Sequence, residues 1–196
     1  MTASFELTFD YLCPFARNAN ESVIQGLRDG RHWTVTFRPF SLAQTKVTDG
    51  GVPVWDRDPN ADGRSGVLAL QWGIAVRDRL PESFQEFHLA LFAARHEQGR
   101  DIGDPDQLSK VAMAVGLDPE LVASEVESGR PLRTLAAEHQ QLVAGWDVFG
   151  VPTFIVGPEA VFVRMMERHQ PAEIDRIVDM ISWTNLNEFK RTHLPR

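Results

Sequence analysis

The chain has 196 residues, 43% hydrophobic and 24% charged, which is enough apolar material for one globular core carrying a sizeable insertion. A formal charge of −7 and the lack of any Lys/Arg run exclude an electrostatic fit to nucleic acid, and no apolar stretch nears the roughly 18 residues of a membrane span. One cysteine excludes an internal disulfide framework, and no His/Cys/Asp/Glu group has metal-ligand spacing, so no metal is expected.

The start, "MTASFELTFDY", has neither a basic opening nor an apolar h-region, and cytoplasmic residence is the expectation. Phe5, Leu7, Phe9 and Tyr11 alternate with polar residues, the period-two pattern of a strand. Pro14 suits a first helical position, Val23, Ile24 and Leu27 give an apolar face, and Gly30 can close the helix. "HWTVTFRPF" alternates again, completing a β-α-β unit with parallel strands and a right-handed crossover.

A polar loop is expected over 55–66, and the pattern from 62 to 147 is helical throughout. Apolar faces run through Val67, Leu70 and Ile74, then through Phe84, Phe87, His88, Leu91 and Phe92 after Pro81. Asp104-Pro105 and Asp118-Pro119 each read as an N-cap followed by the first helical residue. A fifth helix follows Gly129-Arg130-Pro131, with Leu132, Leu135, Ala136, His139, Leu142 and Val143 as its face. His88 and His139 are read as core or edge histidines rather than catalytic bases. After Gly150, "TFIV" and "VFVR" flank a "GPEA" turn, Pro171 opens a last amphipathic helix, and the tail from 184 is polar. The expected fold class is therefore α/β, with 1–61 and 148–196 sharing one sheet and 62–147 inserted as a helical subdomain.

Cys13 falls where the first strand gives way to the first helix. Unpaired helix N–H groups there favour a thiolate, the form that acts as nucleophile. Arg17, one turn on, reinforces that bias if its side chain folds back. A lowered Cys13 pKa is the resulting expectation. Tyr11 is either aimed at the same site or simply core. Downstream, Pro152 in "FGVPTF" is either an ordinary strand-start proline or a cis residue exposing the Val151 backbone to a bound thiol partner. Trp146 and Phe149, just before it, line that cleft or fill the core.

Together, "DYLCPFA", a long helical insertion and "GVPTFIV" before a hairpin and last helix resemble the DsbA-like branch of the thioredoxin superfamily. That branch includes bacterial disulfide oxidoreductases, mycothiol- or glutathione-dependent reductases, 2-hydroxychromene-2-carboxylate isomerases and kappa-class glutathione transferases. The tail "EFKRTHLPR" is similar to the end of actinobacterial mycothiol-dependent reductases. The resemblance implies a thioredoxin-like fold, Cys13 as nucleophile, Pro14 and Phe15 as spacer residues, Pro152 as cis-proline, and Val151 as the backbone partner of an extended substrate. Ala16 departs from it, standing where dithiol members carry the resolving cysteine; the isomerase and transferase members carry serine where this chain has Cys13. The implied activity is a monothiol oxidoreductase resolved by an external low-molecular-weight thiol. The alternatives are a thiol-dependent transferase or isomerase, or a redox-inactive binding module. No tightly bound cofactor is expected, mycothiol or glutathione being a co-substrate. The expected partners are a small-molecule thiol and a disulfide or electrophilic substrate, and relatives with this insertion are often homodimers.

Overall fold

The computed structural model describes residues 3–57, 66–185 and 187–188. Strands β1 (Ala3–Phe9), β2 (Trp33–Pro39), β3 (Thr153–Val156) and β4 (Glu159–Phe162) form one sheet in the order β2-β1-β3-β4. β1 and β2 are parallel, as the α-helical crossover α1 (Pro14–Arg28) requires, and β3 and β4 run antiparallel to their neighbours. Between β2 and β3 lie α2 (Val67–Arg79), α3 (Phe84–His96), α4 (Pro105–Ala114), α5 (Pro119–Glu127) and α6 (Arg130–Trp146). The last helix, α7 (Pro171–Ile181), packs beside α1.

The helix starts follow local chemistry. Asp104 and Asp118 each accept from the backbone N–H two residues on, and proline opens both helices, where a missing donor costs nothing. The hairpin begins sooner than the sequence pattern implies. Gly157, at φ 58°, forms a two-residue turn with Pro158, so pairing resumes at Glu159 opposite Val156 and β4 ends at Phe162 rather than Arg164. On α6, Leu135, His139 and Leu142 are buried as expected, but Val143 is exposed. Of the loop expected over 55–66, residues 58–65 lie outside the described residues, as do 186 and 189–196, which carry most of the tail similarity.

Leu7 and Phe9 of β1 are fully buried, and side chains of this kind contribute about 2–3 kcal/mol each through lost apolar exposure. Polar contacts fix the layers around them. Glu138 of α6 accepts from Arg38 of β2 (2.7 Å) and from Arg77 of α2 (2.6 Å), while Arg38 also reaches Glu6 (2.6 Å). On the other side, α1 meets β2 through Gly26, where a Cβ would lie 2.2 Å from the Trp33 ring. The Trp33 indole in turn donates to Asp175 of α7 (3.0 Å). Among the described residues no helix is long and apolar enough to cross a membrane.

Candidate active site

Cys13 is the N-cap of α1, with extended backbone (φ −94°, ψ 117°). Its amide donates to the Asp10 carbonyl (3.0 Å), so the chain turns sharply out of β1 before the helix begins. Its sulfur accepts from the Ala16 amide (3.4 Å), satisfying one of the orphan donors of the first turn. The S–H in turn donates to the Val151 carbonyl, also at 3.4 Å and 138 residues away in sequence.

Three bonds bring Val151 to that position. Thr153 N donates to the Thr8 hydroxyl (2.8 Å), which anchors the start of β3 on β1. The Thr153 hydroxyl donates back to the Gly150 carbonyl (2.8 Å), and Val163 N donates to the Pro152 carbonyl (3.1 Å). The Val151–Pro152 peptide bond is cis. Cys13, Val151 and Pro152 thus meet in one cleft, with Pro14 exposed and Phe15 half-buried at its rim.

The electrostatics run opposite to the expected depression of the thiol. Burial pushes the Cys13 thiol up; the amides of Ala16 and Phe15 pull it down, the Asp10 carboxylate pushes it up further, and Arg164 pulls it down, without overcoming the burial. At 8% exposure, desolvation of the anion outweighs the helix amides. The resting sulfur is therefore a protonated thiol.

Asp10, whose carbonyl holds the Cys13 amide, is the acidic neighbour of the thiol. It has no exposed surface, and its two oxygens accept from Leu12 N (2.9 Å) and Leu42 N (2.8 Å). Burial raises its pKa to about 6, against the pull of those amides and of Lys46.

Three expected site residues lie elsewhere. Arg17 does not fold back toward the sulfur: it pairs with Glu21 one turn on (2.8 Å) and with Glu97 of α3, and Arg168 joins the same two carboxylates. Tyr11 is in the core. Its hydroxyl donates to His88 Nδ1 (2.8 Å), His88 Nε2 donates to Asn20 Oδ1 (3.0 Å), and Asn20 Nδ2 donates to the Ala16 carbonyl (2.7 Å). The tautomer follows from this network, since the Asn20 amide group is already committed to Ala16. Tyr11 stays on the Phe9 side, packed against α3, and the alternation that would put Cys13 on the same face stops where β1 ends at Phe9. Trp146 donates to the carbonyl of Gly157 (3.3 Å), at the end of the β3–β4 hairpin away from the cleft. Phe149 is neither core nor hidden: it is 70% exposed and meets the Phe162 ring at 5.2 Å.

The sequence reading missed Arg164. Its guanidinium carbon lies 5.5 Å from the Phe15 ring centroid and 5.9 Å from that of Phe162, on the rim of the cleft. A depression of about 600 Å³ opens along β2, but none of its lining residues belongs to the thiol site, and its Arg38 and Arg77 are paired. Among the described residues, no three His, Cys, Asp or Glu side chains converge as a metal site.

A family model, the DSBA-like thioredoxin domain, matches residues 6–170. The chain belongs to that family. Among curated proteins, this DSBA-like domain is 25% identical over 184 residues to the uncharacterised protein YwbO of Bacillus subtilis, covering 82% of the chain and 90% of the relative. Among solved structures, a variant of Pseudomonas aeruginosa DsbA matches with a TM-score of 0.62 at 19% identity, covering 93% of this chain and 86% of that one. MdbA, a thiol-disulfide oxidoreductase from Actinomyces oris, matches with a TM-score of 0.62 at 18% identity, covering 90% and 80%. BdbD from Bacillus subtilis matches with a TM-score of 0.61 at 16% identity, covering 91% and 86%. At these identities the structural likeness speaks for the thioredoxin-like fold.

Proposed function

We propose that this DSBA-like domain is a monothiol thiol–disulfide exchange enzyme with Cys13 as its sole nucleophile. The observation that carries the reading is the placement of the Cys13 sulfur between the Ala16 amide and the Val151 carbonyl, in the cleft of a thioredoxin-like fold. In the first step the Cys13 thiol loses its proton to water. The thiolate attacks one sulfur of a disulfide, forming a Cys13 mixed disulfide and releasing the other sulfur as a thiolate that water protonates. In the second step an external low-molecular-weight thiolate attacks the mixed disulfide, restoring Cys13 and leaving as a new disulfide. Ala16 cannot perform that second attack, so the external thiol is obligatory. Mycothiol or glutathione supplies it in a reducing compartment, which fits cytoplasmic residence.

The same site frees a backbone acceptor on capture. Val151 O accepts from the Cys13 S–H at rest. A mixed disulfide has no S–H, so the carbonyl becomes available to an N–H of the bound molecule. The raised thiol pKa also sets the direction of chemistry. A strong oxidant needs its reduced thiolate stabilised, and this site does not provide that. Cys13 is suited to accept a thiol from a mixed disulfide and pass it on, rather than to drive oxidation of protein dithiols.

Intact mass after incubation with oxidised glutathione or mycothiol disulfide tests the reading. A single adduct on Cys13, absent in Cys13→Ser and removed by excess free thiol, is expected. No adduct with either would sink the redox reading and favour a binding module.

A second reading is favoured by the protonated state of the thiol. In a thiol-dependent transferase or isomerase, the Cys13 S–H would donate to the sulfur of a bound thiol co-substrate, which does the chemistry. Turnover of an electrophile such as a chromene carboxylate, retained in Cys13→Ser, would support it.

A further inference from the structure

Arg164 occupies a position held from both sides. Val163 N is bound to the Pro152 carbonyl (3.1 Å), and the Met165 carbonyl accepts from Asn18 Nδ2 of α1 (2.8 Å). The residue between these anchors is therefore fixed over the junction of the cis-proline loop and the start of α1. Its side chain is exposed and lies over the Phe15 and Phe162 rings. The arginines of the first turns of α1 and the nearby loop are neutralised: Arg17 and Arg168 share Glu21 and Glu97. Arg164 has no carboxylate within ion-pair reach among the described residues. A guanidinium spread over aromatic faces keeps its charge and its forked N–H donors for a ligand.

Resting on the exchange activity proposed above, we infer that Arg164 is a specificity residue that binds the carboxylate of an anionic low-molecular-weight thiol or its disulfide while the ligand sulfur meets Cys13. The ligand class is a glutathione-type peptide thiol, whose carboxylates flank its cysteine. Mycothiol, whose sugar and acetamide groups carry no charge, gains nothing from this contact. The apolar side of the rim, Phe15 and Phe162 with the Phe149 ring tilted against the latter, receives the uncharged part of such a ligand. Arg164 also pulls the Cys13 pKa down, an effect that acts on every disulfide alike and cancels in a ratio of rates.

The test measures adduct formation on Cys13 by intact mass, at low ionic strength, with oxidised glutathione and with neutral bis(2-hydroxyethyl) disulfide. The readout is the ratio of the two second-order rates. Arg164→Gln is expected to lower that ratio about tenfold, the scale of one charge-assisted contact. Arg164→Glu should lower it further, and Arg164→Lys, which keeps the charge but not the forked donors, should recover only part of it. A ratio unchanged in Arg164→Gln overturns the inference and leaves the exchange activity standing. Absence of adduct from both disulfides in the unsubstituted protein overturns the exchange activity and this inference with it.

Discussion

Ala16 donates its amide to the Cys13 sulfur at 3.4 Å and has no exposed surface of its own. The place of a second thiol is therefore present and filled by a methyl group. Ala16→Cys should restore a dithiol site that closes reversibly, seen by intact mass as the loss of two hydrogens on oxidation. The added sulfur enters a packed position, at a cost of about 1–2 kcal/mol in denaturant unfolding. Two thiols that both stay free under oxidant would show that the first turn of α1 does not present residue 16 to the sulfur.

The thiol titration gives a pair of opposed shifts. Iodoacetamide alkylation of Cys13 should have a rate midpoint above the free-thiol value of about 8.5, because burial dominates. Asp10→Asn should lower that midpoint and Arg164→Gln should raise it, since the first removes a negative and the second a positive neighbour. A midpoint below the free-thiol value in the unsubstituted protein would contradict the burial argument.

Two buried groups tilt the pH–stability curve in opposite senses. His88 has a folded pKa of about 3, below its unfolded value near 6.5, so the unfolded chain binds the extra proton and stability falls as pH drops through that window. Asp10 has a folded pKa of about 6, above the usual 3.8, so there the folded chain binds the extra proton and stability falls as pH rises from 3.8 to 6. Asp10→Asn removes the second slope. Chemical denaturation between pH 4 and 6 should then show stability climbing more steeply with pH than in the parent, by up to about 1.4 kcal/mol per unit. Parallel curves would refute the assignment.

His88→Leu should be costly in a different way. It leaves the Tyr11 hydroxyl and Asn20 Oδ1 buried without partners, for about 2–5 kcal/mol of lost stability. It should also flatten the acid side of the stability curve, which a mere cavity would not do. Unfolding midpoints at pH 7 and pH 5 separate the two effects.

Glu138 holds the inserted helices to the sheet through Arg38 and Arg77, all three side chains being at most 18% exposed. Glu138→Gln should cost about 2–3 kcal/mol, since two largely buried guanidinium groups each lose one of two carboxylates, Arg38 keeping Glu6 and Arg77 keeping Asp78. The loss should change little with added salt. A loss erased by salt would place the network at the surface instead.

The strand and helix pattern was legible because local chemistry decides it: alternation for β1 and β2, and Asp-Pro caps for α4 and α5. Cys13 and Pro152 were legible for the same reason, each being a special residue at an element boundary. Arg164 was not, because its neighbourhood is made by the Val163–Pro152 pairing and by Phe15 from the other end of the chain. Arg17 misled because sequence spacing shows the sulfur one turn away but hides Glu97 across the helix packing. The sign of the thiol pKa was equally hidden, since burial depends on what covers the N-terminus of α1 and not on the N-terminus itself.

Gly26 gives α1 the properties of a lever. The helix rests on the Trp33 indole at a bare α-carbon, and Trp33 is itself tethered to α7. From that fulcrum to Cys13 the helix runs 13 residues, about 20 Å at 1.5 Å per residue. A methyl group at position 26 has nowhere to go but against the indole, and a wedge there of only a few degrees swings the sulfur by about an ångström, enough to lengthen its 3.4 Å reach to Val151 past hydrogen bonding. The chemistry at one end of α1 is thus calibrated by the missing side chain at the other.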